Sequence, residues 1–204
     1  MKVGLFFGTF NPIHVGHLII ANHMAQHPEL NQVWLVVTPH NPHKDKTTLL
    51  ADHLRLDMVR DAIAENAMLK VSDIEFHLPK PNYTISTLTH LSEKYPQHEF
   101  SLLIGEDNLR TFHKWYNWEK IIAQHRVFVY PRSEVTIDQA AALSGSDQSS
   151  SLVGHSNLVL VPDVPVLGIS SSFIRKRLAA AKDCSYLLTP AVQKFIDDRA
   201  LYQK

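Results

Sequence analysis

Val3-Gly4-Leu5-Phe6-Phe7-Gly8-Thr9-Phe10-Asn11-Pro12-Ile13-His14-Val15-Gly16-His17 is the stretch that decides the fold. Val3 to Phe7 is a continuous apolar run closed by Gly8, the pattern of a parallel strand covered on both faces. A loop holding Asn11-Pro12 follows, and Gly16 to Ala25 then carries helical spacing. Strand, turn and helix in that order put the turn at the carboxyl edge of an open sheet, where ligands bind. The alternation continues down the chain. Val33–Val37, Leu69–Ile74, Phe100–Ile104, Arg126–Tyr130 and Leu158–Val161 are expected strands. Helices are expected around Leu54–Ile63, over Ile85–Glu93 and Trp118–Gln124, from Ser171, and after Thr189-Pro190, an N-cap followed by proline in the first turn. The predicted class is α/β, an open parallel sheet with helices on both faces.

Composition bounds the function. The 204 residues carry 20 Lys+Arg against 20 Asp+Glu and are 45% hydrophobic, enough for a core without disulfides or a structural metal. One domain over 1–204 is expected, with a flexible, weakly ordered insertion near 133–157 and a C-terminal helical end over 171–204. Zero net charge argues against a nucleic-acid or anionic-membrane coating role. No stretch approaches the ~18 apolar residues of a membrane span, and the start does not resemble a signal peptide. With a single cysteine, Cys184, this predicts a cytoplasmic protein. Histidine is the outlier, thirteen residues against seven glycines, which poses the question of one site or scattered surface.

Two constellations carry chemistry. In the first, His14 and His17 lie three apart around a helix start, so both imidazoles can face the same way. Gly8 lets backbone approach a phosphate, Gly16 leaves room for a bulky ligand, and a helix N-terminus favours negative charge. Neither G-x-G-x-x-G nor a Walker lysine is present, which weakens dehydrogenase and P-loop readings. The second is Ile169-Ser170-Ser171-Ser172-Phe173-Ile174-Arg175. Its serines can cap a helix, and with Arg175 they can also clamp an anion.

These stretches resemble the G-x-F-x-P-x-H-x-G-H and I-S-S-T-x-I-R signatures of the nucleotidyltransferase superfamily, in the expected order. The whole chain resembles its bacterial nicotinate mononucleotide adenylyltransferases, with Pro42-His43-Lys44, Tyr83-Thr84, Gly105-Glu106-Asp107-Asn108 and Trp115-Tyr116 as further matching pieces. It departs at Phe7, where a first glycine is usual, at Asn11, where Asp is common, and at Ser172, which replaces Thr. The resemblance implies a Rossmann-like fold of nucleotidyltransferase type. It also implies that a mononucleotide phosphate attacks the α-phosphorus of ATP, releasing pyrophosphate, with Mg²⁺ carried by phosphate oxygens and no side-chain metal ligand. His17 is then expected on the α-phosphate and bridging oxygens, His14 beside it, and Thr9 and Phe10 as backbone donors. Arg175, Ser170 and Ser171, next to Ile169, would hold the leaving pyrophosphate, and Asp107 beside Gly105 the ribose. For the mononucleotide, the resemblance implies Trp115 stacking on the pyridine, Thr84 and Tyr116 at its carboxylate, and His43 and Lys44 at its phosphate. Without it, Trp115 would be read as packing. Arg132 is a further candidate anion contact.

Other classes compete. His14, His17, His40 and His43 could form a four-histidine metal site of a hydrolase, although H-E-x-x-H is absent. A non-catalytic nucleotide sensor would not need to keep groups aimed at a transition state. Within the enzyme class, another phosphate ester such as phosphopantetheine or glycerol phosphate is the alternative acceptor. Small-molecule partners are expected, with no nucleic acid and no membrane. Nicotinate against nicotinamide, and a monomer against a homo-oligomer, stay open. The nine histidines outside the two loops are expected at the surface.

Overall fold

The structure, a computed structural model, describes residues 1–39, 49–132, 152 and 154–203. The apolar runs become strands β1 (Lys2–Gly8), β2 (Gln32–Val37), β3 (Leu69–Ser72), β4 (Glu99–Gly105), β5 (Val127–Tyr130) and β6 (Leu158–Leu160). They form one sheet in the order β3-β2-β1-β4-β5-β6, every pair parallel. The helices are α1 (Val15–Ala25), α2 (Asp52–Ile63), α3 (Thr84–Lys94), α4 (Glu106–Leu109), α5 (Trp118–Gln124), α6 (Ser171–Ala179) and α7 (Pro190–Asp198).

Period-two alternation within the runs divides the core between the two faces of the sheet. Phe6, Val33, Leu35, Leu103 and Phe128 point to one side, against Ile20 and Met24 of α1, Met58 and Val59 of α2, Ile174 of α6 and Phe195 of α7. Val3, Leu5, Trp34, Leu102 and Val127 point to the other, against Ile85 and Leu88 of α3 and Ile121 of α5. The runs are continuously apolar because both faces are covered. β1 and β4 are neighbours whose following helices lie on opposite faces. The chain therefore parts at their carboxyl ends, the switch point where such sheets bind ligands.

Three expectations need correction. β3 stops at Ser72 because Ser72 Oγ accepts the Ile74 N–H at 3.4 Å and a 3-10 turn, Ile74–Phe76, takes over. The expected loose segment to residue 157 is anchored at its described end. Leu152 is buried in the second face, and Asn157 Nδ2 donates to the Ile122 carbonyl at 2.9 Å. Most of the remaining 133–157 expectation lies outside the described residues. Finally, several histidines expected at the surface pack instead. His125 Nδ1 meets the Phe100 carbonyl at 2.9 Å, His98 joins the Trp34–Tyr95–Phe100 ring cluster, and His27 meets the Phe128 ring edge at 5.1 Å. Among the described residues no helix is long and apolar enough to cross a membrane.

Candidate active site

The turn between β1 and α1 is built around one strained aromatic. Phe10 is buried with φ 45°, a conformation costly for a residue with a Cβ. Its ring is held edge-on by Phe6 at 5.9 Å and by His17 at 5.1 Å. A Cβ on Gly8 would lie 2.8 Å from that ring, so Gly8 is required by the packing of Phe10. Gly16 is constrained likewise: its Cβ would lie 3.1 Å from the His14 ring and 3.6 Å from Ile169 Cβ. The room expected there for a ligand belongs to His14.

His14 is the N-cap of α1 and is 4% exposed; His17, at the third position of the helix, is half-buried. Their rings stack with centroids 3.7 Å apart and planes 27° from parallel. His17 Nδ1 accepts the backbone N–H of His14 at 3.3 Å, the bond a Glu or Gln makes in a capping box. An accepting Nδ1 leaves the proton of a neutral ring on Nε2, which fixes His17 as an Nε2–H donor. Burial, then the Arg132 charge, pushes His14 down to about 4. Burial, His14 and Arg132 hold His17 well below its ordinary range. Both are neutral at pH 7. The buried Nδ1 of His14 meets no hydrogen-bond partner among the described residues.

The second constellation closes onto the first. Ser170 caps α6, its Oγ accepting the Phe173 N–H at 3.2 Å, while Ser171 Oγ donates to the Pro12 carbonyl at 2.9 Å. Arg175 donates from Nη1 to the Asn11 carbonyl at 2.8 Å and from Nη2 to Ser172 Oγ at 3.3 Å. The hydroxyls of Ser170, Ser171 and Ser172 are thus all engaged within the protein. So is the first N–H of α1, which Val15 donates to the Leu187 carbonyl at 3.0 Å. At the end of β4, Gly105 caps α4, and a Cβ on it would lie 2.4 Å from Asp107 Oδ1 and 2.7 Å from Arg132 Cγ. Arg132 Nε and Asp107 Oδ1 are 3.9 Å apart.

Thr84 begins α3, and Tyr83, its N-cap, packs against Tyr116 with centroids 4.6 Å apart and planes tilted by 36°, both rings exposed. Trp115 is half-buried against Phe112 at 5.4 Å, so one part of the indole packs and the rest is accessible. His40, His43 and Lys44 lie outside the described residues.

One buried group was not anticipated. Arg55 of α2 is 0% exposed and donates to the carbonyls of Leu50 at 3.1 Å, Thr9 at 2.5 Å and Thr38 at 2.8 Å, and to Asp52. It ties the β1–α1 turn to the end of β2. Its only signal in sequence is a charge on the apolar stripe of an amphipathic helix, which by itself names no partner.

A family model described as cytidylyltransferase-like matches residues 5–177. A protein of Flavobacterium johnsoniae named "Probable nicotinate-nucleotide adenylyltransferase" is 51% identical over 204 residues, covering 100% of both chains. One of Cytophaga hutchinsonii with the same name is 48% identical, covering 99% of this chain and 98% of its own. The chain belongs to the nicotinate-nucleotide adenylyltransferase family. Among solved structures, Plasmodium falciparum nicotinic acid mononucleotide adenylyltransferase complexed with NaAD superposes with TM-score 0.77 at 21% identity, covering 98% of this chain and 97% of that one. At that identity the likeness concerns the fold. The two stretches that resemble the superfamily signatures are the ones that Arg175 and Ser171 bind together here.

Proposed function

We propose that the protein joins the AMP of ATP to nicotinate mononucleotide, giving nicotinate adenine dinucleotide and pyrophosphate. The observation that carries this reading is the stacked, neutral His14–His17 pair at the start of α1, with His17 fixed as an Nε2–H donor. Both substrates are anions, so the barrier lies in repulsion and alignment, and no side-chain nucleophile is required. A phosphate oxygen of the mononucleotide forms the bond to the α-phosphorus; the bond from that phosphorus to the β-bridging oxygen breaks, and pyrophosphate takes its electrons. His17 meets the α-phosphate and bridging oxygens, and His14 lies beside it. An arriving triphosphate favours the charged imidazole, opposing the burial that keeps it neutral. Donors placed this way stabilise charge where it develops.

Arg175, with Ser170 and Ser171 at the start of α6, receives the pyrophosphate; a Mg²⁺ would be held by the ATP phosphates, not by a side chain, and would offset their charge. Thr9 and Phe10 add backbone N–H groups. Asp107 takes the ribose, with Arg132 beside it as an anion contact. Trp115 stacks on the pyridine ring, Thr84 and Tyr116 supply backbone groups to its carboxylate, and His43 and Lys44 take the acceptor phosphate.

The test is pyrophosphate release from Mg-ATP with nicotinate mononucleotide, nicotinamide mononucleotide and phosphopantetheine in parallel. Release with nicotinate mononucleotide at the highest kcat/KM is expected. Release only with phosphopantetheine, or with none, refutes the assignment.

A further inference from the structure

The last residues of the chain return to the first loop. α7 ends in a Schellman turn: Ala200 N–H donates to the Asp197 carbonyl at 3.1 Å and Leu201 N–H to the Ile196 carbonyl at 3.0 Å. Leu201 packs against the core of the first face. This turn throws Tyr202 toward the β1–α1 loop, where its hydroxyl donates to Asn11 Oδ1 at 2.7 Å across 191 residues of sequence. Tyr202 has φ 62°, and Ala200 φ 48°. A bulky side chain persists in the left-handed region only where its surroundings over-determine it, and such residues cluster at functional sites.

We infer that Tyr202 is a positioning residue for adenylyl transfer, its hydroxyl holding the Asn11 carboxamide and so the backbone that presents His14 and His17 to the phosphates. The inference rests on the reading of that loop as the phosphate site. Asn11 is 3% exposed; its carbonyl accepts from Arg175 Nη1 at 2.8 Å, and its side-chain oxygen accepts from the Tyr202 hydroxyl at 2.7 Å and from the Leu50 N–H at 3.4 Å. His14 follows three residues later. Burial pushes the Tyr202 phenol above its ordinary range, against the pull of Arg175 and Arg55, so it stays a donor through the working pH range. The chain terminus thereby reaches the same loop that Arg55 holds from α2 through the Thr9 carbonyl. A reacting group displaced by a fraction of an ångström to an ångström costs up to about a hundredfold in rate.

Tyr202→Phe removes the hydroxyl and keeps the ring. The expected result is a kcat for pyrophosphate release about tenfold lower, with the mononucleotide KM and the melting temperature nearly unchanged. Because the tyrosine acts through Asn11, the double variant Tyr202→Phe/Asn11→Ala should be no slower than Asn11→Ala alone. A kcat at the wild-type level in Tyr202→Phe, or losses that multiply in the double variant, overturns the inference. Should Tyr202→Phe melt below the assay temperature, Asn11→Ala, which removes the acceptor and spares the tail, carries the same kcat prediction. His17→Ala measured alongside separates the two levels. If it too is fully active, the phosphate-site reading has failed; if it is inactive while Tyr202→Phe is normal, only the positioning role has.

Discussion

At the scale of single residues, two buried titratable groups give the protein opposing pH dependences. Burial lowers His14 from 6.5 to about 4. Between those values the unfolded chain holds a proton that the native state has lost, so this contribution to stability rises with pH and is forfeited on acidification. Glu75, 3% exposed and accepting from Thr87 Oγ1 at 2.9 Å, is pushed the other way by burial, from 4.5 to about 7. There the native state keeps the proton through that window, so stability falls as pH rises from about 4.5 to 7. A pKa shift of this size corresponds to ~3 kcal/mol at full extent. Glu75→Gln keeps an acceptor for Thr87 and never ionises. It should therefore be more stable than wild type by ~1–3 kcal/mol at pH 8 and equal to it near pH 4.5. Chemical denaturation at several pH values checks this, and a difference independent of pH would contradict it.

At the scale of elements, the starts of α6 and α7 were legible and their ends were not. Thr189-Pro190 is an N-cap followed by proline, and Thr189 Oγ1 does accept the Val192 N–H at 3.3 Å. The ends give no such signal because α6 and α7 close on alanine where glycine is usual. Ala181 has φ 50°, its N–H donating to the Leu178 carbonyl at 3.0 Å and that of Lys182 to Arg177 at 2.9 Å. A left-handed alanine costs ~1–2 kcal/mol, of which the extra chain entropy of glycine offsets ~0.5–1. Ala181→Gly, exposed and far from any assigned role, is expected to stabilise by ~0.5–1 kcal/mol with turnover unchanged. A thermal melt with the same or lower midpoint would contradict that. α4 was missed for a different reason: four residues are too few to show a period.

At the scale of the molecule, what the sequence revealed was local and what it hid was long-range. β1, its turn and α1 are contiguous, so their chemistry could be seen in one stretch. The bonds that hold the turn come from α2 through Arg55, from α6 through Arg175 and Ser171, and from the chain end through Tyr202. None of these is implied by periodicity. Zero net charge also concealed the local balance, in which Arg55, Arg132 and Arg175 gather about one loop, the first two beside Asp52 and Asp107. The switch point of the sheet brings these parts to one edge, and His17 stands where they meet. The direct test of the account is the turnover of His17→Ala with Mg-ATP and nicotinate mononucleotide, alongside its thermal melt. A fall in kcat of ~10²–10³ with the melt preserved is predicted, the loss of one preorganised donor. Wild-type turnover by the folded variant would contradict it.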